Sequence, residues 1–263
     1  MTGQKKPSTN SSAIAISAAI ITFNEERNIA RVIESLRCCD EILVLDSGSN
    51  DRTVEIATKL GARVVEASWH GYAAQKNIAA ELASHDWVLS LDADESLSEA
   101  LEAEIWQIKK SGPKFDGYTV PRLAQYLGRW ILYSGWHPDR KIRLFNRRKA
   151  SWVGEFVHES VKVDGSIGHL KSNLLHFTCS SLSEHLRSME RYTTLAAQEI
   201  ASRGKPVTFS RLLFDPAWTF FRTYVLKLGF LDGPEGLSIA YMAALYNFVK
   251  YAKARDMSPG RKE

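Results

Sequence analysis

The chain has 263 residues, 44% of them hydrophobic and 24% charged, with a formal net charge of +4. Such a composition can bury a sizeable core and excludes collagenous, disulfide-rich and wholly disordered classes. The small net charge lacks the field of a dedicated nucleic-acid binder, so no nucleic-acid partner is expected.

Residues 1–12 are mostly Lys, Ser, Thr and Asn with no apolar stretch, which reads as a disordered tail rather than a signal peptide. Ile14 to Thr22 is apolar and of strand length, and Asn24 is expected to cap a helix whose apolar face is Ile29, Val32, Ile33 and Leu36. A second strand, Ile42 to Leu45, ends in Asp46-Ser47-Gly48-Ser49 and leads to a helix through Val54, Ala57 and Leu60 that Gly61 closes. Ala62 to Val65 predicts a third strand, Tyr72 to Ser84 an Ala-rich helix, and Trp87 to Leu91 a fourth strand ending in Asp92-Ala93-Asp94. Strands alternating with helices, without tight hairpin signals, predict an α/β fold with a mostly parallel sheet flanked by helices. Thr22, Asp46 and Asp92 then lie at the carboxyl ends of three strands, the edge where open α/β sheets bind ligands.

A helix beyond Ser98 carries Leu101, Ile105 and Ile108 and ends near Gly112-Pro113. Gly117 to Phe177 reads as an antiparallel extension with short pieces at Tyr118 to Leu123, Lys141 to Phe145 and Phe156 to Val163. Its basic run (Arg140, Lys141, Arg143, Arg147, Arg148, Lys149) suits phosphates, an anionic surface or a solvated edge equally well. Ser181-Leu182-Ser183-Glu184 has capping-box spacing and opens a helix reaching Arg203. From Val207 to Ala254 many aromatic residues alternate with Arg211, Arg222 and Lys227, with Pro216 expected to split the segment and Asp232-Gly233-Pro234 to start a final helix. Aromatic and basic residues on amphipathic helices suit a peripheral membrane surface; helices that cover the sheet or form a dimer face would carry the same pattern. No apolar run approaches the ~20 residues that span a bilayer. Cys38, Cys39 and Cys179 form neither a disulfide framework nor a metal-binding spacing, which fits a reducing cytoplasm.

Two carboxylates at a strand end, Asp92 and Asp94, are hard oxygen ligands suited to a divalent metal, Mg2+ or Mn2+, that leaves positions for phosphate oxygens. Trp130, Trp136 and Trp152 suit stacking on sugars or simple packing. Together, Ile21 to Glu26, Leu45 to Thr53 and Leu91 to Glu95 resemble, in order and spacing, the family 2 glycosyltransferases of GT-A (Rossmann-like) fold. With Val157-His158-Glu159, Leu175-His176-Phe177 and Phe230 to Gly233, the chain is similar to the lipopolysaccharide inner-core β-1,4-glucosyltransferases. The resemblance implies transfer of glucose from the nucleotide-sugar donor UDP-glucose to a heptose of a lipid-linked saccharide acceptor, at the cytoplasmic face of the inner membrane. It implies Thr22, Asn24 and Glu25 around the nucleotide, Asp46 near uracil or ribose, Lys76 facing the diphosphate, and Glu159 as the general base. Many relatives carry a second acid where this chain has Ser47. Glu155 and Glu95 are rival bases, and His158 and His176 are candidates for a metal ligand or a phosphate donor. The implied organisation is a tail at 1–12, a transferase domain at 13–180, a helical region at 181–254 that associates with membrane, and a tail at 255–263. A nucleotidyltransferase would want a Gly- and Lys/Arg-rich triphosphate loop after the first strand, which Asn24-Glu25-Glu26-Arg27 does not supply. The same residues also admit a non-catalytic sugar-binding scaffold or a polyprenyl-phosphate glycosyltransferase.

Overall fold

The structure is a computed structural model that describes residues 13–154, 159–203 and 207–257. The chain forms two compact units, one running to Arg122 and resuming over Arg140–His176, the other made of Leu123–Asp139 and the chain from Phe177 onward. The expected tail at 1–12, Glu155, His158 and the end of the 255–263 tail lie outside the described residues.

The first unit opens with β1 (Ile16–Thr22), α1 (Ile29–Glu34), β2 (Glu41–Asp46), α2 (Thr53–Lys59), β3 (Arg63–Glu66), α3 (Tyr72–Leu82) and β4 (Trp87–Asp92). β5 (Glu95–Leu97), α4 (Glu99–Ser111) and the start of β6 (Gly117–Tyr126) follow. After the excursion of residues 123–139, which carries β7 (Arg129–Trp130), come β8 (Asp139–Asn146), β9 (Ala150–Val153), β10 (Ser160–Val163), β11 (Ile167–His169) and β12 (Leu174–Cys179). The main sheet runs β3-β2-β1-β4-β8-β6-β12-β5, and β9 and β10 form a separate antiparallel pair. The first four strands are parallel, as expected, whereas β8 runs antiparallel to β4 and β5 antiparallel to β12. The fold is thus α/β of GT-A type with helices on the sheet.

Strand β1 shows why this sheet is buried on both faces. Ile16, Ala18 and Ile20 join a cluster with α1, Leu101 and Ile105, while Ala19 and Ile21 meet Ala79 and Ala80 of α3. Alternation of side chains at period two sends each set to its own layer of helices. Thr22 pairs with Asp46 and Ile21 with Asp92, so the three polar motifs share one sheet edge. Between β1 and β4 the strand order reverses, the position at which such sheets form a crevice.

The second unit is helical: α5 (Leu182–Ser202), α6 (Phe209–Phe221), a π turn (Arg222–Leu226), a 3-10 turn (Gly229–Asp232) and α7 (Gly233–Asp256). The Asp232 carboxylate accepts hydrogen bonds from the Leu132 and Tyr133 amides and the Ser134 hydroxyl, which is why residues 123–139 go with the helices rather than with the sheet. Gly236 is required where α7 passes the Gly229 carbonyl, because a Cβ there would collide with that oxygen.

Three local expectations are corrected. Asn24 does not cap a helix: its φ is 56°, its Oδ1 accepts from the Asn50 amide, and α1 starts only after Asn28. Pro216 does not split α6; the helix continues through it, forgoing one backbone donor, and loosens instead at the π turn. In the capping box, Ser181 accepts from the Glu184 amide, but the Glu184 carboxylate reaches Ser180 instead of Ser181.

Candidate functional site

The edge is built by cross-bracing of the first two strand-end loops. The Glu25 amide donates to Thr53 Oγ1 at 2.8 Å and the Asn24 amide to Ser49 Oγ at 2.8 Å. Asp46 accepts from the Gly48 and Ser49 amides (2.9 and 2.8 Å) and from the Ser49 hydroxyl, so its carboxylate shapes the turn that follows β2. Gln75 donates to Ser47 Oγ at 3.2 Å, joining α3 to the same turn. The hydroxyl of Thr22 and the carbonyl oxygen of Gln75 are buried here without a hydrogen-bond partner.

At the end of β4 the charges converge. Lys76 Nζ is 2.8 Å from Asp92 Oδ1 and 3.2 Å from Glu159 Oε1. Arg143 Nη2 is 3.0 Å from the other Asp92 oxygen and 2.7 Å from Glu95 Oε1. Burial by itself raises the Asp92 carboxyl, but Arg143 and Lys76 outweigh it and hold the group well below the usual carboxylate range. Burial likewise opposes the charge on Arg143, and Glu95 and Asp92 more than reverse this, pushing it above its ordinary value. Glu95 is 0% exposed and also accepts from the Asp92 amide at 3.2 Å and from Arg122 at 3.5 Å. It holds the acidic turn, whereas Glu159 is partly exposed and faces Lys76. His176, opposite Glu95 in the pairing of β12 with β5, sets Nε2 3.1 Å from Asp94 Oδ2. Nδ1 of the same ring is buried without a partner.

Thr22, Asn24, Glu25, Asp46, Lys76, Asp92, Asp94 and Glu159 thus all belong to the first unit, and Lys76 directly links Asp92 to Glu159. Among the described residues no group of three or more His, Cys, Asp or Glu side chains is arranged to hold a metal by itself. Two carboxylates still fit a hard cation that takes its remaining ligands from phosphate and water. The basic run is mostly engaged within the fold: Arg147 caps the carbonyls of Ala80, Glu81 and Ala83, Arg148 meets Asp86, Lys149 meets Asp116 and Arg140 meets the Leu170 carbonyl. Trp130 packs on Phe177 and Trp136 on Tyr126. Arg143 belongs to the site although no motif in the sequence marks it. In the sequence it stands only as one member of the basic run, set between Ile142 and Leu144-Phe145 in a strand.

No helix among the described residues is long and apolar enough to cross a membrane. On the second unit, however, α6 exposes Phe209 (70%), Phe214 (64%) and Trp218 (55%), followed by Leu226 and Leu231.

Comparison with known proteins shows the family and the fold. An uncharacterized glycosyltransferase of Rickettsia conorii is 35% identical over 260 residues, covering 92% of this chain and 90% of the relative. The lipopolysaccharide core biosynthesis glycosyltransferase LpsC of Rhizobium meliloti is 32% identical, covering 91% and 92%. Among solved structures, the mannosyltransferase PcManGT of Pyrobaculum calidifontis, in complex with GDP-Man and Mn2+, superposes with a TM-score of 0.53 at 14% identity, covering 95% of this chain and 90% of that one, and shows the shared fold. Residues 17–158 match the description of glycosyl transferase family 2, the span that contains every strand-end motif, and the chain belongs to that family of glycosyltransferases.

Proposed function

We propose that the protein is an inverting, metal-dependent hexosyltransferase that moves glucose from UDP-glucose to a heptose of a lipid-linked saccharide of the lipopolysaccharide core. The observation that carries this reading is the convergence of Lys76, Asp92, Asp94 and Glu159 at one sheet edge. Similarity to LpsC supports the lipopolysaccharide acceptor. Thr22, Asn24, Glu25 and the Asp46 turn line the nucleotide, and Lys76 faces the diphosphate. Asp92 and Asp94 would hold a divalent metal, which would supply positive charge beside the diphosphate. Glu159 takes the proton of the acceptor hydroxyl as that oxygen attacks the anomeric carbon from the side opposite the leaving group.

The acceptor is membrane-borne in this reading, and the exposed apolar face of α6, bordered by Arg211 and Arg222, supports docking on the cytoplasmic face of the inner membrane. The test is a screen of nucleotide-sugar donors with Mn2+ and a lipid-linked core acceptor, read by mass spectrometry. Glucose added to heptose with release of UDP is expected. Release of pyrophosphate, or product only on polyprenyl phosphate, overturns it.

A further inference from the structure

The two cations beside Asp92 are not held by carboxylates alone. Trp152 of β9 is 5% exposed, and both cations stand over its indole: Lys76 Nζ is 4.4 Å from the ring centre and the Arg143 guanidinium carbon 5.5 Å. The ring is not oriented by its N–H, which is buried without a partner. Buried tryptophans ordinarily give that proton an acceptor. Here the orientation serves the ring face, whose negative potential attracts cations more strongly once water is excluded.

The backbone around the ring is fixed from the helix that carries Lys76. Asn77 Nδ2 donates to the Trp152 carbonyl at 2.9 Å, and the Trp152 amide donates to Asn77 Oδ1 at 2.8 Å. One residue of α3 therefore locks the strand while its neighbour lies over the strand's indole. Glu159, next to β10, reaches the same lysine. Lys76 thus stands among an aromatic face and two carboxylates, a setting in which a small displacement of the ring redirects the ammonium.

We propose that Trp152 is a positioning residue of the donor site. Its indole holds Lys76 and Arg143, so that Lys76 is aimed at the donor diphosphate and Arg143 keeps Asp92 in place. This rests on the reading of the edge as a nucleotide-diphosphate site.

Fluorinated tryptophans placed at position 152 of the full chain test it, because each fluorine weakens the negative potential of the ring face while nearly preserving its shape. UDP affinity is measured calorimetrically with and without Mn2+, alongside the melting temperature. The expected result is a stepwise loss of UDP affinity, about tenfold across a mono- to tetrafluoro series, with W152F intermediate. A flat affinity series overturns the proposal. A falling melting temperature with unchanged UDP affinity marks the ring as purely structural and overturns it equally. If the natural chain binds no UDP at all, the donor-site reading fails first and takes this proposal with it.

Discussion

The two units of the chain treat polarity in opposite ways. In the first, charged groups are buried: Glu95, Lys76 and Arg143 are all almost sealed from solvent. In the second, large apolar groups are exposed, with Phe209, Phe214 and Trp218 more than half accessible. Both arrangements are unfavourable by the ordinary rule of burial. The buried charges are compensated by their mutual ion pairing, and in the proposed reading the exposed face of α6 is covered by a membrane surface.

The comparison is broken most forcefully at Arg143. Arg143→Met leaves Asp92 and Glu95 without their shared cation, and removing one partner of a buried pair costs about 3–5 kcal/mol. Urea unfolding measures this, and a loss below about 1 kcal/mol would show that the cluster tolerates an uncompensated charge. Asp94→Ala removes a carboxylate whose hydrogen bond is to His176, outside the buried ion pairs, so the fold is expected to survive. Metal-dependent kcat/KM falls about a hundred- to a thousand-fold, the scale of losing one preorganised electrostatic group. Unchanged metal-dependent turnover in Asp94→Ala and Asp92→Ala would remove the acids from the site.

On the helical side, Trp218→Glu with Phe214→Glu leaves the melting temperature close to that of the natural chain, because both side chains already face solvent. Binding to vesicles containing phosphatidylglycerol is expected to weaken about tenfold or more. Equal binding by the double variant would make this face something other than a membrane contact.

The smallest effect is confined to acid. Burial raises the Glu41 carboxyl, but hydrogen bonds from Ser17, Ser84 and Arg63 outweigh it and lower the group to about 2. Its folded value lies below the unfolded one of about 4.3, so its stabilisation is complete above that range and is lost as pH falls toward 2. Glu41→Gln therefore flattens the acid limb of unfolding free energy measured against pH, and an unaltered limb would place the acid sensitivity elsewhere.

The parallel half of the sheet is readable in the sequence because β1, β2 and β4 are predominantly apolar runs, each ending abruptly in a polar residue. Asp92 and Asp94 are readable for the same reason. Arg143 is not, since its burial depends on β8 lying antiparallel beside β4, a pairing between segments more than fifty residues apart. Asn24 misleads because a side-chain oxygen before a helix has two uses, and here it bonds the neighbouring loop. Pro216 misleads because losing one donor is tolerable inside a helix that α7 packs against; Asn247 of α7 donates to Thr219 at 2.6 Å.

Asp232 carries a consequence for the order in which the molecule assembles. Its carboxylate organises Leu132, Tyr133 and Ser134, separated from it by 98 to 100 residues of chain. During synthesis, residues 123–139 leave the ribosome long before the carboxylate that fixes them exists. The parallel strands β1 to β4 can form early, whereas the helical unit must wait for its last element and then recover a segment made near the middle of the chain. The helix with the exposed apolar face is therefore made after the parallel strands and settles only once Asp232 has joined it.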